Sequence, residues 1–144
     1  MKKTILYVLL HTLVFMNCPH VLGQESMDQL SRRKASYNAF VSGNMDHWAH
    51  IISGMENCAV LSADEKIELI RYYYGYAAYL IGVKQNKKAK TYVGKGEKLI
   101  SEMLKKEPNN ATVLAFKGSF LGFKIVLNKW RIVTLGPESI RCIN

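Results

Sequence analysis

The sequence predicts an all-α fold. Apolar residues recur at helical spacing through most of the chain, and short polar, glycine or proline breaks separate the periodic stretches. No period-two alternation runs long enough to make a strand. Ser62 and Glu65 also have the spacing of a capping box, in which hydroxyl and carboxylate each satisfy a backbone N–H at a helix start.

The N-terminus stands apart from that fold. Met1-Lys2-Lys3 is a basic start, and residues 4–16 form an apolar run of signal-peptide length, too short to span a bilayer comfortably and interrupted by His11. Val21-Leu22-Gly23 best meets the need for a small residue at a cleavage site. Residues 1–23 therefore predict a secretory signal peptide, and residues 24–144 a mature helical domain beginning at Gln24. The rival reading makes Cys18 a lipid-attachment cysteine, but Phe15-Met16-Asn17 before it lacks the small residues of lipoprotein processing sites. No later segment could span a membrane. The expected location is exported, periplasmic or associated with the cell envelope.

The mature part has 121 residues, the 144 of the chain less the 23 of the leader, which is enough for one domain with a modest core. It keeps all 11 acidic residues and 18 of the 20 basic ones, for a formal charge of +7. Such a balance favours anionic surfaces, but the cations are spread out, and with export this argues against nucleic acid as a partner. Cys58 and Cys142 remain after cleavage, and an oxidising compartment would permit a disulfide between them.

Ser26 can cap a first helix running to about Ser42, with Leu30, Tyr37, Phe40 and Val41 apolar and Gly43-Asn44 as the stop. Asp46 can cap a second through Trp48, Ile51, Ile52 and Met55, so that the two make a helical hairpin. After the capping box the third helix has Ile67, Ile70, Tyr74, Ala77 and Ile81 on one face, and Leu69, Tyr72, Tyr76, Tyr79 and Leu80 on the opposite one. A helix apolar on two faces is sandwiched between neighbours or has one face in a groove. Gln85-Asn86 breaks the pattern before a fourth helix, whose stripe of Ala89, Tyr92, Val93, Gly96, Leu99, Ile100, Met103 and Leu104 opposes a lysine-rich face. Lys105 and Lys106 suit the negative end of its dipole, and Pro108-Asn109-Asn110 ends it and caps the next. The fifth holds Val113, Phe116, Phe120, Leu121, Ile125 and Leu127, with Gly118 and Gly122 thinning it for close approach. Asn128-Lys129 interrupts it before Trp130, and Gly136-Pro137 reads as a turn into one more helix of too few residues to hold. This predicts that the last seven or so residues are frayed or weakly helical, and that the chain is an incomplete member of the fold.

Helix, short break, helix, then Pro108-Asn109-Asn110 at the start of the next helix resembles the organisation of tetratricopeptide repeats (TPR). The best-matching unit is residues 69–108, where Gly96 resembles the small residue of the second helix, Ile100 and Met103 its following apolar positions, and Pro108 the closing proline. Gly75 or Gly82 could stand for the usual glycine of the first helix, and neither gives the standard spacing to Gly96 without an insertion. Residues 62–144 also resemble TPR-like exported proteins of the Bacteroidetes, in the order Tyr-rich helix, Lys-rich helix, Pro-Asn-Asn turn and Leu135-Gly136-Pro137-Glu138-Ser139. The resemblance implies antiparallel hairpins stacked as a short right-handed superhelix, and a non-catalytic scaffold that binds a protein or peptide.

Chemistry is sparse. His47 and His50 beside Asp46 have a spacing that can share one helix face, but a zinc site wants further ligands, so no metal or cofactor is expected. Cys58 has no accompanying oxyanion-hole signature, and Gly94-Lys95-Gly96 lacks the strand and loop of a phosphate site. The contact residues are therefore sought among Tyr72, Tyr76 and Tyr79, whose amphipathic rings can grip a peptide from a concave face. The alternative is a basic, envelope-associated module that uses Lys84, Lys88, Lys95, Lys98 and Lys105 to hold anionic lipid or polysaccharide.

Overall fold

The structure, a computed structural model, describes residues 25–142. The signal-peptide reading, its cleavage site and Cys18 lie outside those residues. Within them the chain is all-helical: α1 Glu25–Val41, α2 Met45–Glu56, α3 Ala63–Gly82, α4 Asn86–Lys106, α5 Ala111–Leu127, a 3-10 turn Lys129–Arg131, and α6 Ile132–Arg141.

Most helix boundaries follow the local signals, with instructive exceptions. Gly43, at φ 70°, ends α1 as expected. α1 is already helical at Glu25, so Ser26 lies inside it rather than ahead of it, a position that costs serine only about half a kcal/mol relative to alanine. α2 is capped by Asn44, whose side chain accepts from the His47 N–H at 3.1 Å, and Asp46 sits in the first turn. Both residue types can cap; the chain reversal at Gly43 hands the role to the residue directly after it. The capping box of α3 forms with both its bonds, and Asn110 caps α5 by accepting from the Val113 N–H at 3.1 Å.

α3 ends in a Schellman turn, the Gln85 N–H donating to the Leu80 carbonyl and the Lys84 N–H to that of Ile81. The left-handed position, usually glycine, is filled by Lys84 at φ 61°. Lys84 therefore belongs to the connection and not to the lysine-rich helix that follows.

Each helix packs on the next, and α3 also reaches α5, so that α3, α4 and α5 touch one another mutually. α3 is the centre. Its buried residues include Leu69, Ile70, Tyr72, Tyr73, Tyr76, Ala77 and Leu80, facing α2 on one side and α4 and α5 on the other. Aromatic contacts lock these faces together. Trp48 of α2 meets Tyr72 edge-on, Tyr92 of α4 meets Tyr76 with centroids 4.7 Å apart, and Phe123 of α5 stacks on Tyr74 at 4.9 Å.

Two glycines set the closest approaches. A Cβ on Gly96 would lie 2.2 Å from Cε1 of Phe120, a fully buried ring, and one on Gly75 would lie 2.8 Å from the Trp48 ring. The sequence reads Gly122 as a second point of close approach on α5, but a Cβ there would meet nothing within 4 Å.

The C-terminal end differs from expectation. No new helix starts at Gly136-Pro137; α6 runs through it from Ile132 to Arg141, with Pro137 inside. The missing proline N–H leaves the Val133 carbonyl without its usual helical donor. The helix gains from docking what it loses there. The Ser139 hydroxyl donates to the Gly118 carbonyl at 2.8 Å and Lys117 holds Glu138 at 2.7 Å, which ties the helix to α5.

Candidate functional site

The tyrosines that the sequence offers as contact residues are packed instead. Tyr72 and Tyr76 are buried, and Tyr79 is half-buried beside Tyr76. The Tyr72 hydroxyl donates to Glu68, a carboxylate only 1% exposed that also has the Arg33 Nε at 3.7 Å. Burial first, and then the bond to Glu68, push the Tyr72 hydroxyl up to about 12. Tyr73 donates to Glu56 at 2.8 Å. A core face and a concave binding face are both apolar at helical spacing, and only the positions of α2 and α4 decide between them.

Of the lysines of the alternative reading, Lys88, Lys95, Lys98 and Lys105 are exposed along α4. Lys84 lies in the α3–α4 turn. Lys95 holds Glu56 through both carboxylate oxygens, at 2.8 and 2.9 Å, and sits over the Tyr92 ring. Glu102 lines a shallow depression with Lys95 and Lys98, which interleaves acid among the cations. Lys88 is exposed on the first turns of α4. Lys98 also lines a second concavity, with Lys105 and without Lys88 or Lys95.

That concavity is a groove of about 640 Å³ where α6 leans over α4 and α5. Ile100 and Leu104 of α4, Leu121 of α5 and Leu135 of α6 supply its apolar part. Lys98 and Lys105 of α4 and Lys117 and Lys124 of α5 supply four cations, and Glu97 and Glu138 two anions. Both carboxylates are engaged: Lys124 donates to Glu97 at 2.8 Å, and Lys117 to Glu138 at 2.7 Å. The bond from Lys117 holds the Glu138 carboxyl below its ordinary range, and the same bond raises the Lys117 ammonium above its own. Lys98 and Lys105 make no ion pair with another described residue. A second hollow of about 230 Å³ continues past Glu97 and Lys124 to Lys90 and Arg131.

The lining contains no histidine and no cysteine. What it offers is contact chemistry, an apolar strip bordered by two uncommitted ammonium groups. Lys117, Lys124 and Glu138 escape a sequence reading because their partners lie 21 and 27 positions away, beyond any helical period.

His47 and His50 are both exposed on α2, and among the described residues no three His, Cys, Asp or Glu come together to hold a metal ion. Cys142 is a free thiol, so it is not joined to Cys58. No described helix is long and apolar enough to cross a membrane. No family model, curated protein or solved structure matches the chain.

Proposed function

We propose that this chain is an exported, non-catalytic helical scaffold of TPR-like organisation that holds an acidic segment of a partner protein in the groove between α4, α5 and α6. The observation that carries the reading is the pair Lys98 and Lys105 beside an apolar strip, with every carboxylate of the groove already paired. A carboxylate-bearing segment would complete their charge while its apolar side chains cover Ile100, Leu104, Leu121 and Leu135. The TPR-like organisation draws support from the mutual packing of α3, α4 and α5 and from the close approach at Gly96. Export rests on the basic start and apolar run of residues 1–16 and on Val21-Leu22-Gly23.

The test is a photo-crosslinking residue in place of Ser101 on the rim of the groove, used in the native cell envelope. Capture should map to a stretch of a protein rich in Asp and Glu. It should weaken with salt, because exposed charges are screened over about 8 Å at physiological ionic strength, and should be lost with Lys98→Glu plus Lys105→Glu. Equal capture by the charge-reversed protein would refute the reading. Mass spectrometry of the same material should find Gln24 as the first residue; an intact Met1 or a lipid on Cys18 would overturn the export route proposed.

A further inference from the structure

The outer side of the C-terminal region is unlike the rest of the surface. Trp130, on the 3-10 turn, is 91% exposed, Val133 is 81% exposed, and Ile132 and Ile140 are more than half exposed. Trp130, Val133, Pro137 and Ile140 follow one another at intervals of three and four residues, so they share one side of the helical path. The opposite side is spent on docking, through Glu138 and Ser139 to α5 and Leu135 to the groove. Single exposed apolar residues are ordinary, but a row of them led by a bare indole marks an interaction surface.

The charges around this row are of one sign. Lys129 and Arg141 are exposed beside it, while the single acid of residues 129–142, Glu138, is turned inward onto Lys117. An apolar strip fringed by cations, with a tryptophan at one end, has the composition of an interfacial helix. The indole, apolar in its body and polar at its N–H, settles at headgroup depth, and the cations meet anionic lipid. α6 has ten residues, so it is far too short to cross a bilayer and would lie along its surface. A second copy of the chain fits less well, because an isologous contact through this face would set the cations Lys129 and Arg141 against themselves.

We infer that the Trp130–Val133–Ile140 face is an anchor that rests on an anionic lipid bilayer, leaving the groove on the other side of α6 open to a protein. The inference does not depend on that groove having a partner.

Tryptophan emission tests it, since the other tryptophan, Trp48, lies among Phe40 and Tyr72 and has a side-chain N–H shielded from solvent. The processed chain is titrated with vesicles of phosphatidylcholine and phosphatidylglycerol, and with vesicles of phosphatidylcholine alone. Emission should shift to shorter wavelength and be quenched by brominated lipid with the anionic vesicles only. Trp130→Ala should abolish the shift and weaken sedimentation with vesicles by about tenfold, and Lys129→Glu plus Arg141→Glu should do the same while circular dichroism stays unchanged. Lys98→Glu plus Lys105→Glu should leave vesicle binding in place, which separates this surface from the groove. An unshifted Trp130, an equal shift with neutral vesicles, or a shift that follows protein concentration without lipid would each overturn the anchor. The last of these would assign the face to a second copy.

Discussion

α3 and α6 are both apolar on more than one side, yet they end in opposite situations. α3 has neighbours for both faces, so Tyr72 and Tyr76, which could have been contact residues, become core, locked by Trp48 and Tyr92. Among the described residues α6 has a neighbour on one side only, and Val133 and Ile140 are exposed. A helix's own pattern sets which faces want covering, while the topology decides which are covered.

Disturbing the packed side has the largest expected effect. Gly96→Leu should cost about 3 kcal/mol or abolish folding, because even a Cβ there would run into Phe120, which has nowhere to move. Gly94, two residues away, has open space at its Cβ, so Gly94→Ala should stabilise by about 0.5–1 kcal/mol through helix propensity alone. Urea denaturation of the pair reads both; equal effects would mean that α4 and α5 are not in close contact at Gly96.

The next effect concerns Tyr72. Tyr72→Phe keeps the ring but takes from the buried Glu68 its hydroxyl donor, and should cost about 2 kcal/mol, the worth of a hydrogen bond to a charged group. Its pH dependence has a definite sign. The folded state holds the phenolic proton more tightly, at about 12 against 10.0 for a free tyrosine, so this group's stabilisation is complete below 10 and is lost as pH rises toward 12. Tyr76 is shifted the same way, mainly by burial. Stability measured through that range should therefore fall more steeply for the wild type than for Tyr72→Phe. Parallel curves would show that the hydroxyl is not buried against Glu68.

Helix ends give smaller effects. Ser62→Ala removes the hydroxyl that caps α3 and should cost about 1 kcal/mol. Lys84→Gly acts in the other direction, since a lysine occupies a left-handed position that glycine adopts without cost, and should stabilise by up to about 1 kcal/mol. If both variants melt with the wild type, the α3 termini in solution differ from those described.

These predictions also show how far the sequence could be read. Helices, breaks and the capping box are local signals, carried by residues within four positions of one another, and they were legible, whereas Gly96 stood out only through the resemblance to a repeat. The capping role of Asn44 over Asp46 depended on the chain reversal at Gly43. The helix through Pro137 depended on the Ser139–Gly118 and Lys117–Glu138 ties to α5, which no local period reveals. The groove was legible only in part: Lys98 and Lys105 stand out as cations on a lysine-rich face, but what separates them from Lys95 is Glu56, 39 positions away. The tyrosines mislead for the same reason that α3 is stable, because a face that packs two neighbours looks like a face that awaits one.

The smallest effect tests how α6 is held. Lys117 and Glu138 are each about a third exposed, so their ion pair is worth only a few tenths of a kcal/mol to the whole fold. Its importance is local, because α6 is short, carries a proline and keeps one side in solvent. Glu138 is ionised more readily when folded, so its contribution is present above the ordinary carboxylate range and lost as pH falls through its lowered value. Lys117 is protonated more firmly when folded, so its contribution is present below 10.5 and lost as pH rises through its raised value. The clamp is closed between those limits. Lys117→Ala should therefore leave the global melt nearly unchanged while hydrogen exchange in residues 133–141 accelerates, with α3 amides unaffected. The same acceleration should appear in the wild type, after correction for intrinsic rates, when pH drops through the carboxylate range. Exchange in α6 that is indifferent to both changes would mean that Ser139 and the apolar contacts hold the helix without the ion pair.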